Sequence, residues 1–178
     1  MTEQQLVVTT TIDAPLEVIF DVLADPSTHA AIDGTGWVRE PVDGEHLRSL
    51  GQIFRMAMYH DNHPDKDYEM ANKVVVYDPP RAIAWEPGQE VSARGFLMDA
   101  PNGEEFVFGG WIWRYDLRPV GPSETEVRLT YDWSGVPSDR RDIEFPPFPR
   151  SHLTDSLSNL AALALRAAPA AAQPIGPK

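Results

Sequence analysis

Six consecutive residues, His60-Asp61-Asn62-His63-Pro64-Asp65, carry two imidazoles and two carboxylates, donor types that bind transition metals. They fall between two strand-like runs, where a hairpin tip splays such groups into water, so no metal centre and no cofactor is expected. His60 itself is different, because alternation along 52–60 places it beyond Met58 on the face of Phe54 and Met56. There it is a candidate general acid or base. Arg55 and Tyr59 occupy the opposite face with Ile53 and Ala57, and a slip of one residue in register would exchange the two sets. If Arg55 is buried it needs a carboxylate, which Glu69 on the next strand could supply. Ser151, Ser156 and Ser158 lie near His152, but none sits in a Gly-x-Ser-x-Gly elbow. Gly34-Thr35-Gly36 and Gly109-Gly110 lack the strand-to-helix setting of a phosphate-cradling loop.

The most distinctive run is Trp111-Ile112-Trp113-Arg114-Tyr115-Asp116-Leu117. Strand alternation puts Trp111, Trp113, Tyr115 and Leu117 on one face and Ile112, Arg114 and Asp116 on the other. The last strand-like run repeats the pattern with Val127, Leu129, Tyr131 and Trp133. A wide aromatic face must be covered by a helix, a second sheet or an apolar ligand. Tyr115 and Tyr131 could present their hydroxyls to oxygens of such a ligand.

These residues need elements to hold them. Leu6 to Ile12 reads as a first strand, and Asp13-Ala14-Pro15 opens a helix whose apolar stripe is Leu16, Ile19, Phe20 and Leu23. Asp25-Pro26-Ser27 breaks that helix and starts a short second one to about Ile32. Six strands follow: Trp37 to Val42, Gln52 to His60, Tyr68 to Tyr77, Arg81 to Glu86, Phe106 to Leu117 and Thr125 to Trp133. Residues 87–104 suggest an extended hairpin tip, and Gly109-Gly110 a bulge. Residues 135–150 are crowded with prolines. From Ser151 a long helix presents Leu153, Leu157, Leu160, Ala161 and Ala164 on one face, with Ser and Thr on the other. Strands in series with helices gathered on one side make an α+β fold, and a curved sheet around one terminal helix leaves a concavity suited to a small apolar molecule.

Composition limits the partners. The 178 residues suit one domain, expected over 1–168, with a disordered Ala/Pro/Gly tail at 169–178. A net charge of −12 disfavours nucleic acid and anionic membrane surfaces. No apolar run is long enough to cross a bilayer, and the N-terminus has no basic region of a signal peptide. The chain has no cysteine, which fits a cytoplasmic location. It is expected to be a monomer or a homodimer.

Three stretches carry a resemblance to a known family. They are Thr11-Ile12-Asp13-Ala14-Pro15-Leu16-Glu17-Val18-Ile19-Phe20-Asp21-Val22-Leu23-Ala24-Asp25-Pro26, Val74-Val75-Val76-Tyr77-Asp78-Pro79-Pro80-Arg81-Ala82-Ile83-Ala84-Trp85, and Trp113-Arg114-Tyr115-Asp116-Leu117. The chain resembles the START-like (SRPBCC) superfamily, in its bacterial polyketide cyclase/dehydrase-like branch, over roughly residues 5–165. The resemblance implies a helix-grip fold, a curved antiparallel sheet of seven strands around the C-terminal helix. It also implies a cavity for a hydrophobic ligand such as a lipid or polyketide. Its wall would comprise Phe54, Met56, Met58, Trp85, Trp111, Trp113, Tyr115, Tyr131, Trp133, Leu153 and Leu157, with its mouth at 135–150 and near Gly34 and Gly88. Cyclase relatives imply an alternative, in which Arg55, Tyr59, His60 or Tyr115 positions a poly-ketone and moves protons. Heat-shock activator relatives imply a further one, an adaptor with a filled core. The two-His, one-carboxylate motif of the iron-binding branch is not visible.

Overall fold

The computed structural model describes residues 3–61, 66–90, 106–140 and 144–168. The expected tail and most of the long hairpin tip lie outside these residues, as do His63 and Asp65. The strands are β1 (Gln5–Ile12), β2 (Val38–Pro41), β3 (Ile53–Tyr59), β4 (Asp67–Asp78), β5 (Ala82–Glu90), β6 (Phe106–Phe108), β7 (Ile112–Gly121) and β8 (Glu124–Asp132). Helices α1 (Leu16–Leu23) and α2 (His29–Asp33) follow β1, and α3 (Arg150–Ala167) closes the described chain.

The strands form one curved antiparallel sheet in the order β1-β8-β7-β5-β4-β3-β2, with β6 also on β5. This is the helix-grip α+β architecture. Eight strands stand among the described residues where seven were expected, because Gly109 and Gly110 break the run from 106 to 117. Gly110 has φ +93, and a Cβ there would come within 2.3 Å of the Gly135 carbonyl oxygen. A side chain cannot occupy that close approach, so glycine is needed at the break.

Register fixes the faces. Phe54 pairs with Asn72, Trp85 with both Val74 and Trp113, Tyr115 with Ile83 and Leu129, and Leu117 with Val127. Side chains paired directly across a ladder share a face, and these cover α1, α2 and α3. On α3, Leu153, Leu157, Leu160 and Ala164 are buried, and so are His152 and Ser156 beside them. The inward stripe is therefore broader than the leucine pattern alone suggested, and includes polar groups.

Helix α1 enters through Pro15, and Thr125 on β8 donates to the Ala14 carbonyl at 2.8 Å. The α2 helix is too short to persist alone. It is fastened by Thr28 Oγ1 to the Val22 carbonyl, by His29 Nε2 to the Leu23 carbonyl at 2.8 Å, and by Asn159 Nδ2 to the Ile32 carbonyl at 3.1 Å. The last bond joins α2 to α3. No helix among the described residues is long and apolar enough to cross a membrane.

Candidate functional site

The inner face of the sheet ends in an aromatic cluster. Trp113 lies 4.6 Å from Tyr131 and 5.5 Å from Phe148, measured between ring centroids, and Phe148 lies 4.8 Å from Tyr131. Trp85 stacks on His29 at 4.8 Å and approaches Tyr115 at 5.8 Å. Tyr115, Tyr131 and Trp133 are only 3%, 2% and 4% exposed, so nothing reaches them unless their neighbours move. Burial accordingly pushes both tyrosine hydroxyls far above their usual pKa and keeps them protonated. Trp37, Trp85, Trp111, Trp113, Phe145 and Phe148 are half-buried and form the accessible end of the cluster. Trp111 lies across Gly109, where a Cβ would meet its ring at 1.9 Å, and faces Phe145 at 5.9 Å.

His152 stands at that accessible end. Its ring is 4.7 Å from Phe148, 5.9 Å from Trp37 and 6.0 Å from Trp113. Its Nε2 is 3.6 Å from Asp33 Oδ1, an electrostatic contact rather than a hydrogen bond, and the two side chains are 9% and 10% exposed. The other oxygen of Asp33 accepts from the Thr35 amide and hydroxyl. Gly34, with φ +70, turns the chain after α2 so that these groups converge. Burial lowers the pKa of His152, with Asp33 and Asp155 opposing the shift, so the imidazole is neutral near pH 7. Burial raises Tyr68, and Asp33 adds to that rise.

Described residues form clefts at two places away from Tyr115 and Tyr131. One, about 410 Å³, runs between α1, the 46–48 segment and the Pro79-Pro80 turn. The other, about 300 Å³, is walled by Asp33, Gly34, Thr35, His152, Asp155, Ser158 and Asn159. None of Tyr115, Tyr131 and Trp133 lines either cleft. His152 thus touches both a polar cleft and an aromatic cluster. The aromatic residues expected to wall a cavity, Trp85, Trp111, Trp113, Tyr115, Tyr131 and Trp133, pack against neighbouring rings.

The expected residues divide by face. Phe54 and Met56 are buried on the inner face, with Met58 half-buried beside them; Leu153 and Leu157 oppose the sheet from α3. His60 lies at the rim, 5.0 Å from the Trp37 ring. Arg55 and Tyr59 do not join them. With Phe54 and Met56 inward, alternation sends both to the outer face, so they cannot act on a ligand between the sheet and α3. The Tyr59 hydroxyl donates to Asp61 at 2.7 Å, and Arg39 sits 5.0 Å above its ring. The backbone N–H of Arg55 donates to Asp43 at 3.1 Å. His29, Asp33, Trp37 and Phe148 were not singled out by sequence reasoning, and His152 was considered there only beside the serines. Asp33 and His152 meet through packing of α2 on α3, which no local spacing reveals. A polar residue next to the leucine stripe was the one available signal for His152.

No family model matches the chain. A curated relative, an uncharacterised protein of Mycobacterium tuberculosis, is 23% identical over 132 residues. The match takes in 74% of this chain and 49% of the relative, so the chain spans about half that protein's length. Among solved structures, a protein of Chromobacterium violaceum superposes with a TM-score of 0.61 at 19% identity, covering 90% of this chain and 96% of that one. The Zhui aromatase/cyclase of Streptomyces sp. R1128 gives 0.55 at 16% identity, over 94% and 96%. The fold of these structures is the helix-grip fold seen here. A major latex-like protein of Panax ginseng shares it too, with a TM-score of 0.55 at 11% identity over 93% and 97% of the two chains. At these identities the likeness establishes the fold and leaves the activity to be argued from the site.

Proposed function

We propose that this protein binds an apolar small molecule of the lipid or polyketide class at the accessible end of the aromatic cluster. The observation that carries this reading is the place of His152, shared between the half-buried rings and the 300 Å³ cleft. The polar end of the ligand rests in the cleft, and its apolar body displaces Phe148 and Trp113 from one another. Each Å² of apolar surface removed from water contributes ~25 cal/mol, which offsets the cost of parting the rings. Indole and imidazole groups around the entry give flat surfaces on which a ring system can stack. Native mass spectrometry of the protein purified from its own host tests the reading. A retained molecule, lost in Trp113→Ala, is the expected result. A chain with no bound species, whose tryptophan fluorescence responds to no apolar compound added, would count against it.

A second reading has one observation in its favour: a neutral imidazole beside a carboxylate, in reach of an apolar site, is equipped for proton transfer to or from a bound ketone. Incubating a simple aryl ketone such as 1-tetralone with the protein in heavy water would reveal it as accelerated deuterium uptake at the α-carbon that His152→Phe abolishes. Uptake at the rate of buffer alone leaves binding as the whole function.

A further inference from the structure

The walls of the cleft beside His152 determine what kind of polar group fits. Besides the imidazole, its ionisable groups among the described residues are the carboxylates of Asp33 and Asp155, and no described lysine or arginine lines it. A carboxylate or phosphate head would be repelled by these carboxylates, with no cation among the described lining residues to offset its lost hydration. Asp33 also decides which imidazole nitrogen carries the proton. Its Oδ1 faces Nε2, while Oδ2 is occupied by Thr35. A negative oxygen on that side favours the proton at Nε2 and leaves Nδ1 with its lone pair. No described residue donates a hydrogen bond to Nδ1. A ligand hydroxyl therefore finds an acceptor on His152 that an ether oxygen cannot use, while Ser158 and Asn159 are the donors the same cleft offers.

Resting on the binding reading above, we propose that the site selects a planar apolar ligand bearing a neutral hydroxyl, phenolic or alcoholic. His152 accepts its hydrogen bond, and Asp33 is the positioning residue that holds the imidazole in the accepting tautomer. The surrounding Trp37, Trp113 and Phe148 rings favour a flat ligand body over a branched one. The neutral state of the imidazole near pH 7 agrees with an acceptor role.

Isothermal titration calorimetry of the full chain at pH 7 tests this with three probes of one ring system: 2-naphthol, 2-methoxynaphthalene and 2-naphthoate. The naphthol is expected to bind about tenfold more tightly than the methoxy compound, the worth of one hydrogen bond, with the naphthoate weakest. His152→Phe keeps the ring surface and should bring the naphthol down to the affinity of the methoxy compound. Asp33→Asn can donate its amide to Nε2, moving the imidazole proton to Nδ1, and should erase the preference while the circular dichroism spectrum stays unchanged. Equal affinity of the wild-type chain for naphthol and methoxynaphthalene overturns the inference and leaves the binding reading standing. So does a preference that survives in His152→Phe. A preference that survives only in Asp33→Asn removes the role assigned to Asp33. Failure of all three probes to bind removes the binding reading itself, and this inference with it.

Discussion

His29 and His152 are both buried, and for both the larger influence on the imidazole is loss of water, which lowers its pKa below the usual 6.5. The Leu23 carbonyl and Asp25 oppose this at His29, and Asp33 and Asp155 oppose it at His152. In the folded chain the two rings stay neutral as pH falls through about 6.5, whereas in the unfolded chain they take up protons there. The unfolded state then binds more protons, so stability falls with pH from about 6.5 downward until each folded-state value is passed. Urea denaturation should give a lower midpoint at pH 5.5 than at pH 7.5, and His152→Phe should shrink the gap. Thr125 offers a cleaner measure of one buried bond. It is wholly buried, and its hydroxyl donates to the Ala14 carbonyl. Thr125→Val leaves that acceptor without its partner and should cost ~1–3 kcal/mol in the same assay. Neither His29 nor Asp33 stood out in the sequence, because each gains its role from residues far along the chain. That Trp113 shares a face with Tyr115, and Phe54 with Met56, was legible, since alternation in a strand is a local signal.

Elements were legible where periodicity was strong and less so where geometry decided. The strand from Gln52 and the final helix appeared within a residue or so of their observed ends. Residues 106–117 read as one strand although the chain breaks at Gly110, whose left-handed backbone and contact with Gly135 belong to tertiary structure. Gly110→Ala should therefore cost ~1–3 kcal/mol from backbone strain, plus whatever the displaced Gly135 carbonyl adds. Gly44 makes a matched control: its φ is +68, but a Cβ there meets nothing within 4 Å. Thermal melts should show a larger loss for Gly110→Ala than for Gly44→Ala. Equal losses would mean that the contact with Gly135 contributes nothing. Similar reasoning explains the outward placement of Arg55 and Tyr59. Which face of β3 turns inward depends on its register with β4, and that register is set across the ladder rather than along the strand.

For the molecule as a whole, the sheet and its gripped helix followed from the order of elements together with the three stretches that carry the family resemblance. Whether the rings would enclose an open hollow was not legible, because that depends on how closely α3 approaches the sheet. Here Tyr131, Trp113 and Phe148 close on one another. Charge acts at this scale as well. A net charge of −12 makes the folded chain repel itself, and dissolved ions screen that repulsion. Raising sodium chloride from about 10 mM to about 200 mM, where the screening length drops below about 10 Å, should raise the melting temperature. A melting point indifferent to salt would show that the acidic groups are spread too thinly to matter.

The pairing of β1 with β8 matches Gln5 to Asp132 and Ile12 to Thr125. During synthesis on a ribosome, β1 must wait until β8 has been made before it gains its neighbour in the sheet. Until then its amide edge stays open to other chains. The threonines at positions 9 to 11 keep that waiting segment compatible with water.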